Sequence, residues 1–206
     1  SFCMLQLRKD QFIGNGKGRL CYRHPEDSRK CVKVCIPGQN AEVEARRERV
    51  YFEKYRSRGC PMEHIATIHG LVNTNYGKGS VISLVVEPDG LIAKPLAYYI
   101  ERGASISDFD AELSELRDYL LREGIICSDF NDGNVLLQHL QDGGRRLVII
   151  DGLGNSDFVK LADYCKWFRD RKIERKWKGF YAKLKKYECG GRRNVQANGF
   201  RGANTK

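Results

Sequence analysis

The chain has 206 residues, 41% of them hydrophobic and 30% charged, with a formal net charge of +10; that is enough sequence for a real core in one or at most two compact lobes. No apolar run approaches the roughly 20 residues of a membrane-spanning helix, and no secretory signal is visible, so a reduced, cytosolic compartment is expected, with Met4 as the native start. The 8 cysteines contain no Cys-x-x-Cys pair, which excludes both zinc-ligand spacing and a disulfide framework.

In chain order, Ile13 to Ile36 comes first. Gly14, Gly16 and Gly18 sit in a strand-turn-strand pattern, with Leu20 to Tyr22 and Cys31 to Ile36 as flanking strands and His24 to Arg29 as the turn. Glycines there let backbone N–H groups approach phosphate oxygens closely. Lys33 alternates with Val32 and Val34, and a lysine inside an apolar strand is costly to bury unless it is paired.

The next segment, Asn40 to Tyr55, has a helical composition in which Val43, Val50, Tyr51 and Tyr55 are available for a buried stripe. Glu44 and Glu48 lie one turn apart, so either could reach Lys33, and Glu48 is preferred because it lies deeper in the helix. Both glutamates could also pair with Arg47, Arg49 or solvent. Ile65 to Asn73 and Gly79 to Glu87 read as two further strands around an Asn-Tyr-Gly-Lys-Gly turn. Ser107 or Asp108 caps a following helix whose Phe109, Leu113, Leu116 and Leu120 mark its buried side and whose Gly124 ends it.

The helix leads into IICSDFNDGNVLL at Ile125 to Leu137 and then LVIIDGLG at Leu147 to Gly154. Val135 to Leu137 and Leu147 to Ile150 read as the arms of a β-hairpin with a glycine turn between them. That hairpin brings Asn134, at its entry, beside Asp151, at its exit, where oxygen-bearing side chains can share a hard cation. Taken alone, SDFNDGN is equally what a loop with Asx-type hydrogen bonds contains.

The excess positive charge lies entirely from Asp163 onward, where 14 Lys or Arg accompany 4 Asp or Glu. Trp167, Phe168, Trp177, Phe180, Tyr181, Leu184 and Tyr187 recur there at helical spacings, predicting one or two amphipathic helices between Leu161 and Glu188. Three readings of this basic segment stand: its aromatics pack on the body; it meets an anionic surface such as phospholipid or lipopolysaccharide phosphates; or it meets nucleic acid, ranked last for want of a base-reading motif. Gly190 to Lys206 reads as a flexible end.

The motif order from about residue 12 to 155 resembles the protein-kinase-like superfamily. More narrowly, CYRHPEDSRKCVKV at Cys21 to Val34, EARRERVYFEKY at Glu44 to Tyr55 and KWFRDRKIERKWKGF at Lys166 to Phe180 are similar to the PhoP-regulatory-network, YrbL-like family of small bacterial proteins. The resemblance implies an α+β, minimal bilobal kinase-like fold. Residues 4–90 would form an antiparallel N-lobe sheet with its helix, 91–188 a short helical C-lobe with the catalytic hairpin, and 189–206 a flexible basic tail.

It also implies ATP and magnesium as cofactors. Lys33 would contact the α- and β-phosphates and Glu48 would orient it. Asp129 would be the catalytic base, while Asn134 and Asp151 would hold the metal. Gly14, Gly16 and Gly18 would cover the phosphates, and Val85 and Glu87, in the segment Val85 to Gly90, would be the hinge against adenine. Departures from the superfamily are Cys127 and Ser128 before Asp129, and Asp151-Gly152-Leu153-Gly154 in place of Asp-Phe-Gly. Little sequence follows Asp151 and no Ala-Pro-Glu-like motif is present, so the expected acceptor is a hydroxyl of a small molecule, sugar or glycolipid rather than a peptide. The alternative is a nucleotide-binding pseudokinase that acts through its basic tail.

Overall fold

The computed structural model describes residues 4–16, 18–38 and 40–194, with side chains to residue 190. Strands β1 (Phe12–Gly16), β2 (Arg19–Arg23) and β3 (Lys30–Cys35) form a meander, followed by helix α1 (Ala41–Ser57) and the hairpin of β4 (Ile68–Thr74) and β5 (Gly77–Ser83). These five strands make one sheet in the order β1-β2-β3-β5-β4, antiparallel at every pairing. The tight β2–β3 turn follows from Asp27, whose carboxylate accepts the Arg29 N–H at 3.0 Å and pairs with Lys30; these contacts hold its pKa down at about 2.

The central strand β3 is buried on both faces. Val32 and Val34 pack with Tyr22 and Leu7 on one side; on the other, Cys31 joins Ile82, Leu136 and Val148. Beyond the sheet come β6 (Lys94–Pro95), α2 (Leu96–Glu101), α3 (Asp110–Glu123), the hairpin β7 (Val135–His139) and β8 (Arg145–Ile149), the short α4 (Leu161–Tyr164) and the 29-residue α5 (Lys166–Asn194). The β6, β7 and β8 strands form a second, three-stranded sheet. The fold is therefore α+β, as expected.

Much of the chain follows its sequence pattern. Phe109, Leu113, Leu116 and Leu120 are buried, and Gly124 closes α3 in the left-handed conformation. The expected Ser107 or Asp108 cap does not form: α3 starts behind Phe109 with no side-chain cap, because Asp108 is used in a short preceding 3-10 turn, where it accepts the N–H of Ser105 at 2.9 Å. The β7–β8 hairpin forms as read, and its register continues one step further, with Ile150 N–H donating to the Asn134 carbonyl at 2.9 Å.

Helix α1 differs from its predicted face. Its buried stripe is Ala41, Ala45, Glu48, Tyr51, Phe52 and Tyr55, whereas Val43 and Val50 are more than half exposed. Tyr51, Phe52 and Tyr55 fill the main core, and that rotation carries Glu48 inward and both valines outward. A lone glutamate in an apolar stripe demands a cationic partner.

Helix α5 also settles part of the basic segment. Ile173, Trp177, Phe180 and Leu184 are buried in the main core with α1, α2, α3 and the hairpin, and Phe130 lies against both Trp177 and Phe180. The helix continues to Asn194, so Gly190 to Asn194 is helical rather than a loose end, because the preceding turns are anchored by that core. Residues 195–206 of the expected tail lie outside the described residues. Trp167 and Phe168, in contrast, face solvent.

Phe180→Ala is expected to lower stability by about 3–5 kcal/mol, the range for truncating a fully buried phenylalanine, while Trp167→Ala changes it by less than about 0.5 kcal/mol. Urea unfolding monitored by circular dichroism checks both; equal effects would contradict the orientation of α5.

Candidate active-site cleft

A cleft of about 630 Å³ opens between β1 to β3, helix α1 and the two loops that flank the β7–β8 hairpin. Gly14, Gly16, Lys33, Glu48, Asp129, Asn134 and Asp151 all line it. Residues more than a hundred positions apart are thus gathered because β3 supplies one wall, α1 the back and the hairpin ends the floor.

Four charged groups occupy the interior. In the β2–β3 register Cys21 stands opposite Lys33 and Arg19 opposite Cys35; opposed residues share a face, so Arg19 projects toward the same side as Lys33. Arg19 takes Glu48 in a two-pronged grip, Nη1 to Oε2 and Nη2 to Oε1 both at 2.9 Å, and also pairs with Asp151. Lys33 donates to the Ile150 carbonyl at 2.7 Å and lies 3.4 Å from Asp151. The expected Lys33–Glu48 pair is therefore replaced by Arg19–Glu48. A planar guanidinium matches a carboxylate with two parallel hydrogen bonds, which a single ammonium cannot do.

Burial pushes the Glu48 carboxyl upward, and the neighbouring Asp151 adds to this against the pull of Arg19. Burial acts on Asp151 as well, but Lys33, Glu48, Arg19 and the Gly152 N–H outweigh it and hold Asp151 well below the usual carboxylate range. Two cations and two carboxylates balance, which is the condition under which charges tolerate an interior.

Gly152 ties this network to the neighbouring loop. Its N–H donates to Glu48 Oε1 at 2.9 Å, and its carbonyl accepts the Ser128 N–H at 2.8 Å. Its φ is +82°, and a Cβ built there would stand 2.4 Å from the Asp129 carbonyl oxygen. No larger residue, least of all phenylalanine, fits that position. Leu153 next to it is buried in the main core.

Asp129 itself is exposed at the rim. Asn131 donates to its Oδ1 at 2.9 Å, the Gly133 N–H donates to Asn131 Oδ1 at 2.9 Å, and Asn134 Nδ2 donates to the Asp129 carbonyl at 3.0 Å. The Asx-type hydrogen bonds of an ordinary loop are thus present, and they are what sets Asp129 and Asn134 on the cleft. From α5, Lys176 donates to the Ser128 carbonyl at 2.5 Å and Tyr187 donates to Asp132 at 2.5 Å, bracing the loop from outside. Cys127 is buried, and burial, with Glu48 nearby, pushes its thiol up to about 12; it is a packing residue, not a nucleophile.

The structure does not bring three predicted residues into the cleft. Gly18 lies in the β1–β2 turn, where its carbonyl accepts the Ile36 N–H at 2.8 Å. Val85 and Glu87 belong to a small closed loop: the Ala93 N–H donates to the Val85 carbonyl at 2.9 Å, and the Glu87 N–H donates to the Leu91 carbonyl at 2.8 Å. Glu87 Oε2 also accepts from His139 at 2.8 Å. Those backbone groups are already paired. Arg19, conversely, was missed; the signal was its parity with Cys21 across from Lys33.

Among the described residues no group of three or more His, Cys, Asp or Glu could hold a metal, and no helix is long and apolar enough to cross a membrane. The family model described as "PhoP regulatory network protein YrbL" matches residues 5–185. The chain is 31% identical over 183 residues to the "Uncharacterized protein YrbL" of Escherichia coli (strain K12), covering 87% of each chain, and equally to that of Shigella flexneri.

Arg19→Met is expected to cost about 3–5 kcal/mol, because it leaves Glu48 buried with only one hydrogen-bond donor, and Arg19→Met with Glu48→Met recovers more than half of that loss. A double-mutant cycle by chemical denaturation measures it; additive losses would mean that the pair is not coupled.

Proposed function

We infer that this chain, which belongs to the YrbL family of PhoP regulatory network proteins, binds ATP with magnesium in the cleft and transfers the γ-phosphoryl group to a hydroxyl. The observation that carries the reading is the convergence of Lys33, Asp129, Asn134 and Asp151 on one cleft beneath the strand bearing Gly14 and Gly16. Space above both glycines is open, with nothing within 4 Å of a Cβ at either, as close approach of phosphates to backbone requires. We read the whole as a minimal bilobal protein-kinase-like fold working in the cytoplasm. The five-stranded sheet with α1 is one lobe, and the hairpin with α2 to α5 is the other.

The residues present fit magnesium. Asn134 donates through Nδ2 to the Asp129 carbonyl, which leaves Oδ1 as an acceptor, and Asp151 offers a carboxylate of depressed pKa. Two protein oxygens with the remainder from phosphates and water is the usual arrangement for this ion. Bound there, the metal would neutralise charge on the transferring phosphate.

Lys33, free to leave the Ile150 carbonyl, binds phosphate oxygens. Arg19 holds Glu48, and through Gly152 the Asp151 segment, so Glu48 is a positioning residue and not a phosphate ligand. Asp129, at the rim, accepts the proton of the acceptor hydroxyl. The acceptor class is a small molecule, sugar or glycolipid.

One observation favours a second reading, a nucleotide-binding regulatory protein without turnover: Asp151 already has both Arg19 and Lys33 as counter-ions. The two readings part on Asp129. For a phosphotransferase, Asp129→Asn lowers ADP release at least a hundredfold, within the range for a lost general base, while the thermal shift produced by Mg-ATP persists; Asp151→Asn loses the magnesium-dependent part of that shift. Binding without ADP release under any acceptor supports the second reading. Absence of a Mg-ATP thermal shift in the wild type rejects both.

A further inference from the structure

Among the described residues, six of the thirteen exposed large hydrophobic side chains fall within one stretch, Phe158 to Phe168. Phe158 is fully exposed, Tyr164 is 88% exposed and Trp167 56%. Exposed apolar residues scattered singly need no explanation, but a contiguous group of this kind marks an interaction site. The segment is not loose: Asn155 and Tyr51 both hydrogen-bond Asp163, and Lys160 donates to the Asn155 carbonyl. Its aromatics are held outward by a tethered backbone.

Asp157, Asp170 and Glu174 lie among the cations around them, and the charge left without an ion pair is positive. Each nearby carboxylate has an internal partner: Asp157 has the buried Lys172 at 2.6 Å, Asp170 has Lys166, and Glu174 has Arg117 at 2.6 Å. Arg171 lies over the Trp167 ring, 4.6 Å from its centroid, and Arg171, Arg175 and Lys178 form no ion pair among the described residues. These three cations and Trp167 line an open groove of about 740 Å³.

From this geometry we propose that the Phe158–Lys178 face docks on the surface of an anionic lipid bilayer. The apolar surface extends beyond the groove, since Phe158 and Tyr164 do not line it. A peptide lying in the groove would leave them in water, whereas a bilayer surface is broad enough to extend beyond the groove to them. Trp, Tyr and Phe ringed by Arg and Lys suit the headgroup boundary, where aromatic rings enter and cations meet lipid phosphates. A second copy in a two-fold contact would set the same cations against each other. Nucleic acid would satisfy the cations but leave Val159 and Leu161 uncovered. No helix among the described residues is long and apolar enough to cross a membrane, so the attachment is peripheral.

The two tryptophans give the test, because Trp177 is buried and Trp167 is not. Vesicles of phosphatidylglycerol and phosphatidylcholine in a one-to-one mixture are expected to sediment the protein and to shift its emission to the blue. Trp167→Phe should abolish the shift while Trp177 still emits. Joint replacement of Arg171, Arg175 and Lys178 by Gln weakens binding roughly a hundredfold, at the usual contribution of each cation near a charged leaflet; Lys185→Gln with Lys186→Gln, farther along α5, changes it less than about threefold. All three variants keep the thermal midpoint of the wild type. Equal binding to pure phosphatidylcholine, equal loss in the Lys185 and Lys186 variant, or a blue shift that appears with protein concentration and no lipid would each overturn the proposal. None of these readouts involves ATP, so they stand or fall apart from the cleft.

Discussion

The buried pair of Arg19 and Glu48 is the constraint around which the rest is arranged. A carboxylate in the apolar stripe of α1 is sustainable only because β2 delivers a guanidinium to it with two 2.9 Å hydrogen bonds. Satisfying that pair fixes the rotation of α1, and the rotation decides that Tyr51, Phe52 and Tyr55 enter the core while Val43 and Val50 stay out. The same carboxylate then accepts the Gly152 N–H, so the sheet, the helix and the Asp151 segment share one polar junction. Lys33 is thereby left to the Ile150 carbonyl and the Asp151 carboxylate.

A second dependence runs from outside inward. Trp177 and Phe180 of α5 form a three-ring cluster with Phe130, and Lys176 and Tyr187 reach the loop on either side of it. Asp129 sits on a loop that is tied to Gly152 through Ser128 and otherwise held by local, exposed hydrogen bonds; such loops are mobile unless something packs on them. Helix α5 supplies the packing, so the basic C-terminal segment is part of the machinery that holds the cleft.

The parts of the sequence that were legible are those where one local period decides the outcome. The β7–β8 hairpin announces itself by two apolar runs around glycines, and α3 by Phe109, Leu113, Leu116 and Leu120 with Gly124 behind them. Placing Asn134 near Asp151 needed nothing more. The partner of Glu48 was not legible in the same way, because Arg19 at a strand start looks like any surface arginine until the β2–β3 register sets it on the Lys33 face. The inward face of α1 was misread because a stripe containing glutamate looks polar. The segment Val85 to Ala93 closes on itself through backbone pairs and through Gln138 and His139, contacts that no window of local sequence contains.

Helix α5 also has a geometric consequence. Rising about 1.5 Å per residue, it is one continuous helix of 29 residues. Its first turn carries Trp167 and Phe168, and later turns carry the groups that grip the Asp129 loop. Direction is therefore inherited along it: whatever surface the first turn rests against, the mouth of the cleft faces at a constant angle to it. Any surface that held the first turn would find the opening already aimed.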